Sequence, residues 1–194
     1  ARFNLQSLAP YETVVTGCAS CTLMLKDYST LFAEGEGDER QQAEQLAKKV
    51  VHISEFAAHS PQQPPMGKTA GRTKCVTYHS SCHLRAAGVT KEPRKILSSL
   101  PGVNFAEMPD ADRCAGGAGT FIVKDYETAQ NIFKRKARAV EQSGADVVAT
   151  SCPACMIQLK NGLRDRAEVK HVAQLLHEAY EAADLQQENV KRHS

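Results

Sequence analysis

Four cysteines in the second half of the chain have the residue type and the spacing to hold one metal centre. Cys82 and Cys114 stand singly, and Cys152 and Cys155 form a Cys-x-x-Cys pair further along. Thiolates are the ligands that iron–sulfur clusters and zinc share, and no carboxylate is evident in the set. The four cysteines therefore predict a single site that holds an iron–sulfur cluster or a zinc ion, and buried thiols that bind no metal are the third alternative.

Strands and helices alternate along the segments that carry these cysteines. We predict strands at Cys75–Tyr78, Val103–Met108 and Asp146–Thr150, and helices at Pro93–Leu100, Tyr126–Ser143, Pro153–Arg164 and Val172–Ala182. This alternation is typical of an α/β fold with a parallel sheet flanked by helices. The cysteine loops then lie at the carboxyl ends of the strands, where such sheets bind their ligands.

The residues around the cysteines suit an anionic centre. Pro153 fits the first position of a helix, where its missing amide hydrogen costs nothing. Cys155 then falls in the first helical turn, where the helix dipole favours a thiolate. Glycines at positions 116, 117 and 119 allow backbone amides to approach sulfur atoms closely.

The chain contains an internal repeat. Val14–Lys26 resembles Val148–Lys160, and the two Cys-x-x-Cys pairs align. A weaker similarity follows each copy, between Val50–Phe56 and Val169–Leu175. Two related modules are the expected organisation, and the first is truncated because few residues precede its cysteines.

We expect three segments on this basis. Residues 1–60 form the carboxyl-terminal part of a first module, residues 61–72 a linker rich in Pro and Gln, and residues 73–194 a complete second module. Cys18 and Cys21 in the first segment are a remnant ligand pair, a disulfide or free thiols. Because the rest of their module is missing, we do not expect them to hold a cluster.

Together, the cysteine pattern and its flanking residues resemble the CCG, or cysteine-rich, domain. Cys82 lies in Tyr78-His79-x-x-Cys82-His83-Leu84, and Cys114 opens the run Cys114-Ala115-Gly116-Gly117. The family occurs in one of the subunits of heterodisulfide reductase and in the iron–sulfur subunits of glycolate oxidase, D-lactate dehydrogenase and anaerobic glycerol-3-phosphate dehydrogenase. The resemblance implies that Cys82, Cys114, Cys152 and Cys155 are the cofactor ligands.

One position departs from the family pattern. Ala115 stands where the family has the second cysteine of Cys-Cys-Gly. With five cysteines the family builds a noncubane cluster, so the four that remain here suit a [4Fe-4S] cluster, or zinc. We expect the Ala115 side chain to point toward the metal site.

Applied to this chain, the resemblance implies an electron-transfer subunit of an oxidoreductase complex rather than the site of substrate oxidation. Electrons would pass from a flavoprotein that oxidises glycolate, D-lactate or glycerol 3-phosphate toward quinone or another carrier. Two alternatives stay open: reduction of a disulfide at the cluster, as in heterodisulfide reductase, and a zinc-stapled interaction module.

The composition of the chain indicates its class of protein and its compartment. The chain has 194 residues, of which 42% are hydrophobic and 24% charged, with a net charge of +2, as in a globular protein. Its seven cysteines and the lack of an export signal favour a reducing, cytoplasmic compartment. No apolar run is long enough to span a membrane, so any link to the inner membrane would be peripheral, through partners. Sparse aromatic residues, with no Trp, argue against nucleic-acid binding.

Several further residues have a structural reading beside a functional one. Cys75 is expected in the core of its strand. His79 and His83 could be ligands or proton carriers beside Cys82, but a helix-capping or hydrogen-bonding role is expected. His52 and His171 occupy matching places in the repeat, where helix capping explains them. The basic run Lys134, Arg135, Lys136 and Arg138 is expected on the exposed face of its helix, where it could steer an acidic partner.

Overall fold

A computed structural model of the chain describes residues 1–32, 37–60 and 73–192, and side chains as far as residue 185. The expected linker, residues 61–72, lies outside the described residues. The helices are α1 (Arg2–Leu8), α2 (Ala19–Lys26), α3 (Gly37–Lys49), α4 (Ile53–His59), α5 (Cys82–Ala86), α6 (Glu92–Ser99), α7 (Phe121–Lys124), α8 (Tyr126–Ser143), α9 (Pro153–Leu163) and α10 (Val172–Arg192). The strands are β1 (Val14–Thr16), β2 (Val50–His52), β3 (Lys74–His79), β4 (Val103–Phe105), β5 (Val147–Thr150) and β6 (Glu168–His171). Short 3₁₀ helices cover Tyr28–Leu31 and Arg164–Arg166.

The strands form two parallel sheets. The pair β1 and β2 makes a small sheet, and the order β4-β3-β5-β6 makes a larger one. In the larger sheet His79 is in register with Thr150, and Thr150 with His171, so three strands end together. The α/β fold with parallel strands and flanking helices is thereby confirmed.

All seven predicted elements are present, and most of them differ by a few residues at one or both ends. Helix α8 has the predicted bounds. Strand β4 stops at Phe105 rather than Met108, because it lies at the sheet edge and its last link to β3 is the Ala106 amide donating to the carbonyl of Val76. Strand β6 and the five-residue helix α5 were not predicted.

The larger sheet is covered on both faces. On one side α4, α6 and α10 bury a cluster around Val76, Tyr78 and Leu97. On the other side α8 and α9 bury a cluster around Val148, Phe133 and Leu159. Because β5 is buried at all four positions, it lies in the middle of the core and fixes the start of α9.

The amino-terminal residues pack against the carboxyl edge of the larger sheet. The amide of Ala19, at the start of α2, donates to the carbonyl of Ser151 at 3.1 Å. Ala19 also shares a buried apolar cluster with Leu84, Val89 and Cys152. The first Cys-x-x-Cys pair is thus held beside the second. The division into two related modules remains a prediction.

None of the helices within the described ranges combines the length and hydropathy needed to cross a bilayer.

Candidate metal centre

The four candidate cysteines lie on loops at one edge of the larger sheet. Cys82 begins α5 three residues after β3 ends, and Cys114 lies in the loop between β4 and α7. Cys152 is the N-cap of α9, directly after β5, and Cys155 lies in the first turn of that helix. The parallel topology is what gathers these loops, because each parallel strand delivers its following loop to the same edge.

Cys152 and Cys155 form a coupled pair at the start of α9. A hydrogen bond from the Cys155 thiol and two from the backbone amides of residues 155 and 154 lower the pKa of Cys152 to about 5, although burial raises it. The same thiol–thiol bond, with burial, raises the pKa of Cys155. A helix N-terminus stabilises negative charge, so Cys152 is the thiolate of the pair.

Cys82 and Cys114 complete the neighbourhood of this pair. Both act electrostatically on Cys155 and add to the rise of its pKa. Both are exposed, whereas Cys152 is buried, so the site is open on one side. Within the described residues, no three His, Cys, Asp or Glu side chains converge closely enough to hold a metal ion. The four thiols therefore share one region without forming a ready-made single-ion site.

The loop that carries Cys114 packs tightly because of its glycines. Gly116 has a φ of 80°, and its amide donates to Sγ of Cys114 at 3.2 Å. A Cβ at this position would lie 2.5 Å from the Ala129 carbonyl oxygen on α8. A Cβ on Gly117 would lie 2.8 Å from Cβ of Gln158 on α9. Only glycine allows this approach, which brings Cys114 toward the start of α9.

Ala115, which stands where the resemblance places a second cysteine, is 1% exposed. It packs in the cluster formed with Met108, Ala111 and Phe133, against which Cys155 also lies. The position is therefore close to the site, and it is more enclosed than the sequence led us to expect.

Buried polar atoms without partners accumulate around the cysteines. Within the described residues, the hydroxyls of Ser81 and Thr150, the Gln158 amide and Nδ1 of His79 have no hydrogen-bond partner. Each such group costs about 1–3 kcal/mol when it is left unpaired in the interior. Buried polar groups beside the four thiols, with the Gly116 amide donating to Sγ of Cys114, fit a sulfur-rich anionic group. The donor set therefore fits an iron–sulfur cluster chemically.

Lys136 was missed by the sequence analysis, and its assignment to an exposed basic face is wrong. The side chain is 2% exposed, and its ammonium donates to the carbonyl of Asp110 at 2.6 Å and to that of Ala111 at 3.3 Å. The remaining members of the basic run, Lys134, Arg135 and Arg138, are exposed as expected. Lys136 instead lies beneath the loop that leads to Cys114.

The amino-terminal pair has the same local geometry as the carboxyl-terminal one. Cys18 is the N-cap of α2 with φ −131° and ψ 121°, close to the −136° and 116° of Cys152. A hydrogen bond with Cys18, burial and the charges of Cys18 and Cys152 raise the pKa of Cys21. All seven cysteines are free thiols. That Cys18 and Cys21 do not hold a cluster remains a prediction.

Ser20 connects the two halves at the site. Its hydroxyl lies 2.7 Å from Nδ1 of His83, the residue after Cys82. It also hydrogen-bonds Cys152 and contributes to the lowered pKa of that thiol. The hydrogen-bonding role expected for His83 is thus present, with a partner from the amino-terminal segment. Ser20 lies between Cys18 and Cys21 in the sequence, far from His83 and Cys152, so only the folded structure reveals these contacts.

His52 and His171 are buried caps at equivalent places. Nδ1 of His52 accepts from the amide of Ser54 at 3.1 Å, and Nδ1 of His171 from that of Ala173 at 3.0 Å. The rings lie 6.3 Å apart. Burial and the charge of His171 lower the pKa of His52 to about 4, and burial lowers that of His171. Both are neutral structural groups at the junction of the two sheets.

His79, near the centre, and Cys75, away from it, both have structural surroundings. Burial, with the charges of Lys136 and Arg85, lowers the pKa of His79 to about 3, so its ring is neutral. Cys75 on β3 is half-buried rather than fully in the core, and its amide donates to the Asp146 carboxylate at 2.9 Å. Cys75 lies near the start of β3, away from the edge that carries the four candidate ligands.

Comparison with known proteins shows a match to one protein family. A profile of the CCG cysteine-rich domain matches residues 76–160. The chain is 30% identical over 182 residues to Lactate utilization protein A 1 of Bacillus mycoides, which covers 92% of this chain and 74% of that protein. The described sheet, helices and cysteine loops lie largely within this region of similarity.

Two further relatives are longer than this chain. A fumarate reductase (CoM/CoB) subunit of Methanothermobacter marburgensis is 35% identical, over 91% of this chain and 34% of that protein. The Probable glycolate oxidase iron-sulfur subunit of Bacillus subtilis is 31% identical, over 90% of this chain and 41% of that protein. The chain therefore spans less than half of each of these two relatives.

Proposed function

Because this chain belongs to the family of CCG cysteine-rich domain proteins, we propose that it is an iron–sulfur electron-transfer subunit whose cluster is held by Cys82, Cys114, Cys152 and Cys155. The observation that supports the proposal is the placement of these four residues on loops at one sheet edge, where the charges of Cys152, Cys82 and Cys114 act on Cys155. Such a cluster would carry one electron at a time.

The residues of the chain have separable tasks in this proposal. The start of α9 would hold Cys152 as a thiolate before the cluster is inserted, which favours metal binding because ligands must lose their protons. The amide of Gly116 would remain a donor to Cys114, and such donors favour the reduced state of an iron–sulfur centre. Burial of Cys152 would exclude water from one side, and the exposed Cys82 and Cys114 would leave the other side open to a partner.

The proposed donor is a flavoprotein that oxidises a 2-hydroxy acid such as lactate or glycolate, or glycerol 3-phosphate. The names of two relatives, a lactate utilization protein and a glycolate oxidase iron-sulfur subunit, support the 2-hydroxy acids. The proposed acceptor is quinone or another carrier, reached by a cytoplasmic subunit that attaches to the membrane only through partners.

A [4Fe-4S] cluster is proposed over a zinc ion because one relative is named as an iron-sulfur subunit. The Gly116 amide, which donates to Sγ of Cys114, also suits the sulfur atoms of such a cluster. Ala115 likewise argues against disulfide reduction at a five-cysteine cluster, although one relative is a fumarate reductase subunit named for CoM/CoB.

The experiment is redox cycling of the anaerobically reconstituted protein. We expect absorbance near 400 nm that bleaches on reduction with dithionite and returns on addition of a soluble quinone. The matched control is Cys75→Ser, which removes a thiol from the same sheet away from the site and should cycle as the parent does. Stoichiometric zinc with no such absorbance would identify the zinc-stapled alternative, and absorbance that does not cycle would refute electron transfer.

A further inference from the structure

Lys136 is a lysine within an apolar stripe of α8. Its neighbours along the buried face are Ala129, Phe133, Ala137 and Val140, each at most 6% exposed. Lysine is almost never buried this completely unless it is paired. The burial of Lys136 therefore requires a partner for its charge.

The ammonium is tied to the loop that leads to Cys114. Besides its bonds to the carbonyls of Asp110 and Ala111, it lies 3.9 Å from Sδ of Met108. The Ala111 carbonyl also accepts the amide of Ser80, two residues before Cys82. Lys136 thus holds the Cys114 loop from inside, at the point where that loop meets the end of β3.

The hydrogen bonds of Lys136 do not balance its charge. Among the described residues, no carboxylate oxygen lies within ion-pair distance of its ammonium, and the Asp110 carboxylate pairs instead with Arg113 at 3.2 Å. Burial lowers the pKa of Lys136 to about 8, and the charges that raise it again come from Asp112, Asp110, Cys114 and Cys155. A buried cation with no close counter-charge is expensive, so a negative group nearby would stabilise it.

We propose that Lys136 is the charge partner of the anionic centre held by the four cysteines, and that it favours the reduced state of that centre. This inference rests on the proposed function. A cluster with four thiolate ligands is negative, and it gains one further negative charge on reduction. A fixed ammonium in a low-dielectric interior stabilises that added charge more than a solvated one does. Lys136 would thus be a positioning and tuning residue, with no bond to the cluster.

The test compares two substitutions on the same helix. Lys136→Met removes the buried charge with little change in shape, and Lys134→Met removes an exposed charge two residues away. The readout is the midpoint potential of the reconstituted cluster, followed by electron paramagnetic resonance during a redox titration. We expect Lys136→Met to move the potential to a more negative value and Lys134→Met to leave it at that of the parent. Equal potentials in the two variants would overturn the proposal.

Lys136→Arg separates charge from shape, because it keeps the cation. A potential near that of the parent in Lys136→Arg supports the charge role, whereas equal shifts in the Arg and Met variants would mean that only the geometry of the Cys114 loop matters. If Lys136→Met cannot be loaded with iron, the iron content of Lys136→Arg decides: normal loading supports the proposal, and loss of loading overturns it. A parent protein that binds no cluster would refute the proposed function itself, and this inference with it.

Discussion

Substituting Gly116 by alanine tests the close packing that positions Cys114. An alanine at this φ of 80° costs about 1–2 kcal/mol of stability. Alanine also lowers the entropy of the unfolded chain, which offsets about 0.4–1 kcal/mol of that cost. A Cβ 2.5 Å from the Ala129 carbonyl must also push the loop away from α8, at about 1–3 kcal/mol. Gly116→Ala should therefore destabilise the protein by about 1–5 kcal/mol.

Gly119→Ala is the matched control in the same loop. Its φ is 48°, but a Cβ there meets nothing within 4 Å, so only the backbone cost applies. The two variants should differ by about 1–3 kcal/mol, or roughly 2–12 °C in midpoint temperature for a chain of this size. The assay is thermal unfolding followed by circular dichroism, with cluster loading measured in parallel. Equal destabilisation of both variants would refute the claim that the loop is held by contact with α8.

Three further predictions concern the site, the junction and the surface. Ala115→Cys should supply a fifth thiolate and alter the paramagnetic spectrum of the reconstituted protein, whereas an unchanged spectrum with a freely alkylated new thiol would count against the family-based geometry. The pKa values of His52 and His171 are lowered in the folded state, so the stability that depends on their neutral rings should be complete above about pH 6.5. As the pH drops below this value, the free energy of unfolding should fall by about 1.4 kcal/mol per pH unit for each histidine, and for His52 the fall should continue to about pH 4. Denaturant titrations at several pH values in this range give the free energy of unfolding at each pH, and for His52→Gln it should fall less steeply as the pH drops. A free energy of unfolding that does not change with pH would contradict the assignment of the two histidines as neutral caps. Charge reversal on the exposed basic face of α8 should slow association with an acidic partner at low salt, and an unchanged rate would remove that surface from docking; the residues to reverse are Lys134, Arg135 and Arg138.

Much of the fold could be predicted from local patterns. Helix α8 was predicted with the observed bounds because its apolar stripe and the glycine after Ser143 mark both face and end. Strand β6 was missed because its sequence, Glu-Val-Lys-His, has one apolar residue. It is a strand because β5 offers it a parallel partner, a contact that sequence periodicity cannot reveal.

The site was predictable as a set of ligands but not as an environment. Spacing and the Cys-x-x-Cys pair singled out the four cysteines, whereas Ser20 approaches Cys152 only because α2 packs against the sheet edge. Lys136 carried a readable signal: it lies three residues after Phe133 and four before Val140, on the buried stripe. Grouping Lys136 with the adjacent basic residues obscured its buried position, because neighbouring residues of a helix point in different directions.

The most direct test of the central claim is the iron and acid-labile sulfide content of single Cys→Ser variants after anaerobic reconstitution. The parent should bind about four iron atoms per chain. Serine at Cys82, Cys114, Cys152 or Cys155 should abolish or sharply reduce that content. Serine at Cys18, Cys21 or Cys75 should leave it unchanged. Full iron content in any of the first four variants, or its loss in the Cys75 variant, would contradict the assignment of the cluster to this sheet edge.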